Sequence, residues 1–229
     1  MIWGKTDIVK YLSDRNGYRS YLEICTASTG REFAKIDPSR FDICHRLMYR
    51  CPDDFTDGLA IDFRIATLDS TPCVEELHRQ GRRYDIILVD PWHEYDSSYR
   101  DLKNAISLVS DNGSIVVHDC LPPTDDIISP TFTPGSWCGV TFMAYIDLVT
   151  QNKALRYRTI DTDFGCGVIQ LCKDIPIDVP AALLDAWKER SGDPKEAFRL
   201  MRDNKQVLLR LVSVDEFIAG AEADAAQTS

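Results

Sequence analysis

The chain has no run of about 20 apolar residues, the length a helix needs to cross a bilayer, so no membrane span is expected. Residues Met1 to Asn16 mix Lys5, Asp7, Lys10, Asp14 and Arg15 among apolar side chains. They lack the apolar core and small-residue cleavage site of an export signal. No two cysteines are spaced as CxxC; the eight stand at 25, 44, 51, 73, 120, 138, 166 and 172. Without an export signal, reduced thiols in a cytoplasmic protein are expected rather than a disulfide framework. Cys44, His45 and Cys51 offer zinc-type ligands, but a fourth partner at finger spacing is missing. There is no internal repeat, and low complexity is confined to the tail Ala219 to Ser229. Positive charge is also short: 26 Lys and Arg face 36 Asp and Glu, for a net charge of -10. That balance opposes wrapping a phosphate backbone, and no nucleic-acid partner is expected.

What is present suits a globular fold. Of 229 residues, 44% are hydrophobic and 27% charged, enough for a full core in one domain with a helical appendage. Ile8, Val9, Tyr11 and Leu12 fall at helical spacing, and Gly17 follows as a stop. Tyr21 to Cys25 reads as a buried strand, followed by the small, polar loop Thr26 to Gly30. Tyr84 to Asp90 is the strongest strand signal, with the near-continuous branched apolar character of a parallel strand covered on both faces. A helix over Asp101 to Val109, a turn at Asp111-Asn112-Gly113 and a strand over Ser114 to Asp119 complete a βαβ pattern. The class expected is α/β, a doubly wound, Rossmann-like sheet.

Beyond Cys120 the stretch Leu121 to Gly135 is long and Pro-rich, the kind of loop that serves function. A helix over Val140 to Val149 and strands over 156–162 and 167–172 around the turn Asp163-Phe164-Gly165 follow. The division predicted is an α/β domain over 1–176 and a helical extension with a flexible tail over 177–229. From Pro180 the pattern reads as purely helical. Its stripe of Leu208, Leu211 and Val212 predicts contacts beyond its own domain, with a second copy as partner, or packing down onto the parent sheet.

Ligands of open α/β sheets bind outside the carboxyl ends of the strands. Three such ends carry polar groups that a core would not choose: Glu23 with its loop, Asp90 with Pro91 to Tyr95, and His118-Asp119. Singly, each has a structural explanation: Asp90 as a helix cap, His93 as a loop histidine, Glu23 as a buried acid bonded to backbone N–H groups. Together at one edge they point to a site.

These stretches resemble class I S-adenosylmethionine-dependent methyltransferases, most closely the family-24 type tied to sugar and polysaccharide modification. The matching segments are Leu22-Glu23-Ile24…Gly30, Val89-Asp90-Pro91-Trp92-His93-Glu94-Tyr95, Gly113 to Asp119, and Thr162 to Ile169. The family pattern has glycine where Cys25 stands, a departure that bears on how closely the backbone approaches the cofactor. The resemblance implies S-adenosylmethionine as cofactor, contacted by Glu23, Cys25, Thr26, Ser28, Gly30, Asp42, Asp69 and Asp90, with Asp37 a further candidate for the ribose or adenine. It implies a divalent cation at Asp90, His118 and Asp119, whose oxygens suit Mg2+ or Mn2+ better than zinc. His93, beside Asp90, becomes the general base. The acceptor, a saccharide or other small hydroxylated molecule, would meet Trp92, Tyr95, Asp125, Asp126, Trp137 and Tyr145. The expected activity is O-methyl transfer. Two rivals use the same fold: a binding or assembly module with little cofactor affinity, and a metal-dependent hydrolase or hydroxylase.

Overall fold

The structure, a computed structural model, describes residues 3–26, 33, 35–49, 63–65, 68–173 and 178–226. Helix α1 (Lys5–Asn16) buries Ile8, Val9 and Leu12 and ends at Gly17. Strand β1 (Ser20–Thr26) is buried along its whole length. Then come β2 (Ile43–Tyr49), β3 (Phe63–Ile65), α2 (Thr71–Arg79) and β4 (Tyr84–Asp90). Helix α3 (Tyr95–Leu108), β5 (Val109–Val117), α4 (Thr141–Thr150), β6 (Leu155–Ile160) and β7 (Cys166–Leu171) follow. The rest is α5 (Ala181–Arg190), α6 (Pro194–Asp203), α7 (Lys205–Leu208), β8 (Leu211–Val212) and α8 (Val214–Ala226).

The strands form one sheet in the order β3-β2-β1-β4-β5-β7-β6-β8. The first five positions are parallel to one another, and β7 runs antiparallel to both neighbours. Strand order reverses between β1 and β4, which opens the crevice where ligands of such sheets bind. The side chains of β4 show why its sequence is apolar throughout. Ile87 and Val89 pack with Leu102, Ala105, Phe142 and Tyr145 on one face, while Ile86 and Leu88 meet Ile8, Val9 and Leu12 on the other. Each such side chain withdrawn from water contributes about 1.5–3 kcal/mol before the entropy of ordering is subtracted. This is the doubly wound α/β architecture that the strand-loop-helix pattern predicts.

Three local expectations change. Helix α3 begins at Tyr95, well ahead of Asp101. Its early inward positions are Ser97, Ser98 and Asp101, buried yet polar, so apolar periodicity is silent there. Their partners come from neighbouring segments: Ser98 Oγ lies 3.1 Å from Thr141 Oγ1, and Asp101 accepts from Tyr49 Oη at 2.6 Å. The Asp111-Asn112-Gly113 turn lies inside β5, where the register with β4 shifts between Tyr84 and Ile86. Finally, the region after Pro180 is not purely helical, because Leu211–Val212 adds a parallel strand beside β6.

That strand redirects the apolar stripe. Leu208 and Leu211 are buried within their own chain, in the first case together with Trp187, Phe198 and Met201 against Phe142 and Tyr145. Of the two expected outcomes, these residues show packing down onto the parent domain. Asp147 ties the extension down further: it accepts from Trp187 Nε1 and from Tyr95 Oη, each at 2.6 Å.

Candidate active site

The parallel strands place their polar ends side by side. Asp90 is the last residue of β4, opposite Cys25 of β1. His118 follows β5 and donates its backbone N–H to Val89 O at 3.0 Å. Asp119 comes next in the left-handed region at φ 61°, a conformation costly for a residue with a Cβ. The turn there swings its carboxylate back toward the sheet. His93, in the loop between β4 and α3, brings Nε2 to 3.2 Å from both Asp90 Oδ1 and Asp119 Oδ2. One ligand atom from each of Asp90, His93 and Asp119 lies within 4.8 Å of the others, the one such group among the described residues. His118 stands beside this trio, with Nδ1 3.4 Å from Asp90 Oδ1 and 3.3 Å from Asp119 Oδ1.

Two further residues complete the cluster. Lys5, the first residue of α1, reaches across the sheet edge to Asp90 Oδ2 at 2.7 Å and is itself buried. Asp163, in the β6–β7 turn, accepts from the backbone N–H of Lys5 at 2.9 Å and lies 3.5 Å from His118 Nε2. Burial alone would push the carboxyl of Asp90 up, but Lys5, His118 and His93 outweigh it and hold it well below its ordinary value. Burial likewise works against the charge on His118, yet Asp119 and Asp90 raise it well above a free imidazole. Asp163, opposed by burial but held by His118 and Lys5, sits at about 2. Carboxylates and cations thus stabilise one another's charged forms in a setting that excludes water.

His93 is fixed from its other side. Its Nδ1 lies 2.6 Å from Trp137 O, which assigns the proton to Nδ1 and leaves Nε2 facing two carboxylates. A lone pair cannot rest comfortably there; the position calls for a proton or a cation. The loop carrying Trp137 closes tightly, since a Cβ at Gly139 would stand 2.1 Å from His93 O. Trp137 lies 5.1 Å from the imidazole by ring centroids and clusters with Trp92 and Phe132, with centroids 5.3 Å apart in each pair.

On the β1 side, Glu23 is fully buried and shares its face with Tyr21 and Cys25. Its Oε2 accepts from Tyr21 Oη at 2.7 Å, while Oε1 has no hydrogen-bond partner among the described residues. Burial lifts this carboxyl to about 7, against the pull of Tyr21 and Cys25.

The remaining sequence candidates divide by location. Asp69 lies beyond β3 and accepts from the N–H of Thr71 at 2.9 Å. Asp37 caps a short turn through Ser39. Asp42 precedes β2 at the amino edge of the sheet and pairs with Arg19, away from the cluster. Trp92 and Trp137 stand at His93, whereas Tyr95 turns toward Asp147 and stacks on Tyr99. Asp125 and Asp126 are exposed on the long loop. Tyr145 is buried in the core, accepting from Thr159 Oγ1 at 3.3 Å. Thr26 is buried at the end of β1, and Ser28 and Gly30 lie outside the described residues. So does Cys51; His45 Nδ1 meets Tyr84 Oη at 2.7 Å. Lys5 and Asp163 escaped the sequence reading. A basic residue in an N-terminal amphipathic helix looks like solvent-facing charge, and an aspartate in a turn looks like turn chemistry. The one available signal was Asp163 within the Thr162–Ile169 match.

No protein-family model and no curated protein matches the chain. Solved structures do match. O-methyltransferase TomG from Streptomyces achromogenes, involved in tomaymycin synthesis and solved with SAM, superposes at TM-score 0.52 and 14% identity, over 73% of this chain and 79% of its own. SAH-bound methyltransferase PaMTH1 from Podospora anserina gives 0.51 at 14% identity, over 74% and 78%. An O-methyltransferase from Bacillus cereus in complex with SAH gives 0.50 at 12% identity, over 72% and 78%. What this chain shares with them at such identities is the fold.

Proposed function

We propose that the chain is an S-adenosylmethionine-dependent O-methyltransferase acting on a small hydroxylated acceptor, with saccharides as one candidate class. The observation that carries this reading is the convergence of Asp90, His93 and Asp119 within 4.8 Å at the carboxyl edge, beside the strand end where Cys25 pairs with Asp90. A core has no use for that arrangement. A transferase that must deprotonate a hydroxyl does.

Asp90 and Asp119 supply the hard oxygens that suit Mg2+ or Mn2+, and a cation held by them would lower the pKa of an acceptor hydroxyl. Lys5 fixes Asp90 through Oδ2, which leaves Oδ1 turned toward His93. With a cation offsetting the charge of Asp90 and Asp119, His93 Nε2 would give up its own proton and be free to take that of the acceptor hydroxyl, its orientation set by the Trp137 carbonyl. S-adenosylmethionine, when bound, would supply the sulfonium methyl to the deprotonated oxygen and depart as S-adenosylhomocysteine. Trp137, backed by Trp92 and Phe132, packs on the imidazole and limits its access to water. Glu23 and Thr26 of β1, with Asp69 beyond β3, take the cofactor side of the crevice.

Calorimetric titration with S-adenosylhomocysteine, with and without Mg2+, tests the cofactor half of this reading. Binding followed by transfer of a labelled methyl group to polyhydroxylated acceptors is the expected result. No heat at about millimolar ligand, a binding energy of only about 4 kcal/mol, would remove the transferase reading.

A further inference from the structure

A cavity of about 520 Å³ lies beside the cluster, between the β6–β7 turn, the start of the long loop and the helices of the extension. Its size is that of a small-molecule site. Phe198 and Met201 of α6 form an apolar wall with Leu121, and Phe164 borders it from the turn. Phe164 is 42% exposed, against the tendency of large aromatics to bury themselves. Its backbone is left-handed at φ 58°, following Asp163 at φ 45°. The close packing beneath the turn maintains this conformation: Leu121 N donates to Phe164 O at 2.8 Å, and a Cβ at Gly165 would stand 2.3 Å from Leu121 N.

The charged lining is as informative as the apolar wall. Arg202 and Lys205 both border the cavity, in a chain whose net charge is -10. Lys205 has no carboxylate within ion-pair distance among the described residues, and Arg202 has only its neighbour Asp203, at 3.6 Å. Asp161 and Asp163 line the turn side. Asp163 is already engaged with Lys5 and His118, and through it the cavity adjoins the reactive cluster. Phe164 also stands nearly perpendicular to the His118 ring, with centroids 6.0 Å apart.

The geometry points to an acceptor with an apolar body and an anionic end, a carboxylate or phosphate. The anion meets Arg202 and Lys205, the body lies against Phe164, Phe198 and Met201, and the hydroxyl end is directed toward Asp163 and the cluster. This assignment rests on the methyltransferase reading for the word acceptor, but the binding itself does not. It also gives the extension a role, since α6 and α7 supply both cations.

Phenylacetate and phenyl phosphate serve as probes, with benzyl alcohol as the neutral control, each titrated by calorimetry against the full chain. Either anion is expected to bind at about millimolar or better and the alcohol at least about tenfold more weakly, the scale of one charged hydrogen bond. Preference between the two anions identifies the acidic group. The double variant R202E/K205E is expected to weaken anion binding by about tenfold or more, and Phe164→Ala to weaken all three ligands. Both changes are at partly or fully exposed positions, and S-adenosylhomocysteine titrated in parallel reports on folding. Equal affinity for the alcohol, or anion binding unmoved by charge reversal, would overturn the proposal. Absence of anion binding with intact S-adenosylhomocysteine binding overturns this site and leaves the methyltransferase reading standing. Anion binding without S-adenosylhomocysteine binding does the reverse.

Discussion

Asp85 and Asp90 sit at opposite ends of one strand, and their surroundings separate support from chemistry. Asp85, at the amino edge, accepts the backbone N–H groups of Arg19 and Ser20 at 2.9 and 3.1 Å and the hydroxyl of Ser110 at 3.1 Å. Among the described residues, none of these donors carries a proton that could move at neutral pH. Asp90, at the carboxyl edge, meets an ammonium and two imidazoles. Backbone donors use up an acid structurally, whereas titratable donors leave it coupled to its neighbours. The parallel sheet imposes the distinction, because its carboxyl edge is where loops of variable length converge.

The largest effects are expected in activity at the carboxyl edge. His93→Ala should lower kcat by about 10²–10⁴-fold, the range for a general base, while S-adenosylhomocysteine affinity measured by calorimetry changes little. Asp85→Ala should leave kcat within about twofold, since an effect of about 0.3–0.5 kcal/mol is all that distant, independent sites transmit. A similar loss of turnover in both variants would erase the contrast between the two ends.

Stability should rank the ends the same way. Asp90→Ala strands buried Lys5 without its partner, and urea unfolding is expected to show a loss of about 3–5 kcal/mol. Asp85→Ala removes acceptors from donors that water can reach, for about 1–3 kcal/mol.

Glu23 sharpens the comparison through pH. Its folded pKa, about 7, lies above its ordinary 4.5, so the folded state holds the proton more tightly. The stability this provides is complete below 4.5 and is lost as pH rises through 7. Glu23→Gln should therefore gain on the wild type between pH 4.5 and 8, by roughly 3 kcal/mol at most, in urea midpoints read across that range. An equal response of both proteins to pH would show that Glu23 ionises without cost in the fold. The smallest effect belongs to Tyr95→Phe, which removes one hydrogen bond to Asp147 while Trp187 keeps the other; about 1 kcal/mol is expected in the same assay.

The division between the two ends also explains what could be read from sequence. The run Ile86 to Val89 announces a strand covered on both faces, and strand ends then nominate Asp90 and His118-Asp119 without any coordinates. Burial of Ser97, Ser98 and Asp101 is invisible to apolar periodicity, so α3 began too late in the sequence reading. Lys5 pairs with a residue 85 positions away, and no local pattern encodes that. Asp42, a cofactor contact by the resemblance, shows the converse: the strand it precedes starts at Ile43, so it lies at the supporting edge beside Arg19.

The left-handed backbone of Asp119 sets fold and chemistry against each other. Glycine would occupy that φ without strain, so Asp119→Gly would relieve about 1–2 kcal/mol of backbone strain while deleting a carboxylate from the cluster. That relief is opposed by buried His118, which would lose one of the carboxylates that hold its charge, so the cluster rather than the backbone keeps aspartate at the turn. A library at position 119 sorted by heat should therefore retain aspartate in the wild-type background and enrich glycine only where His93 and His118 have been replaced by neutral residues.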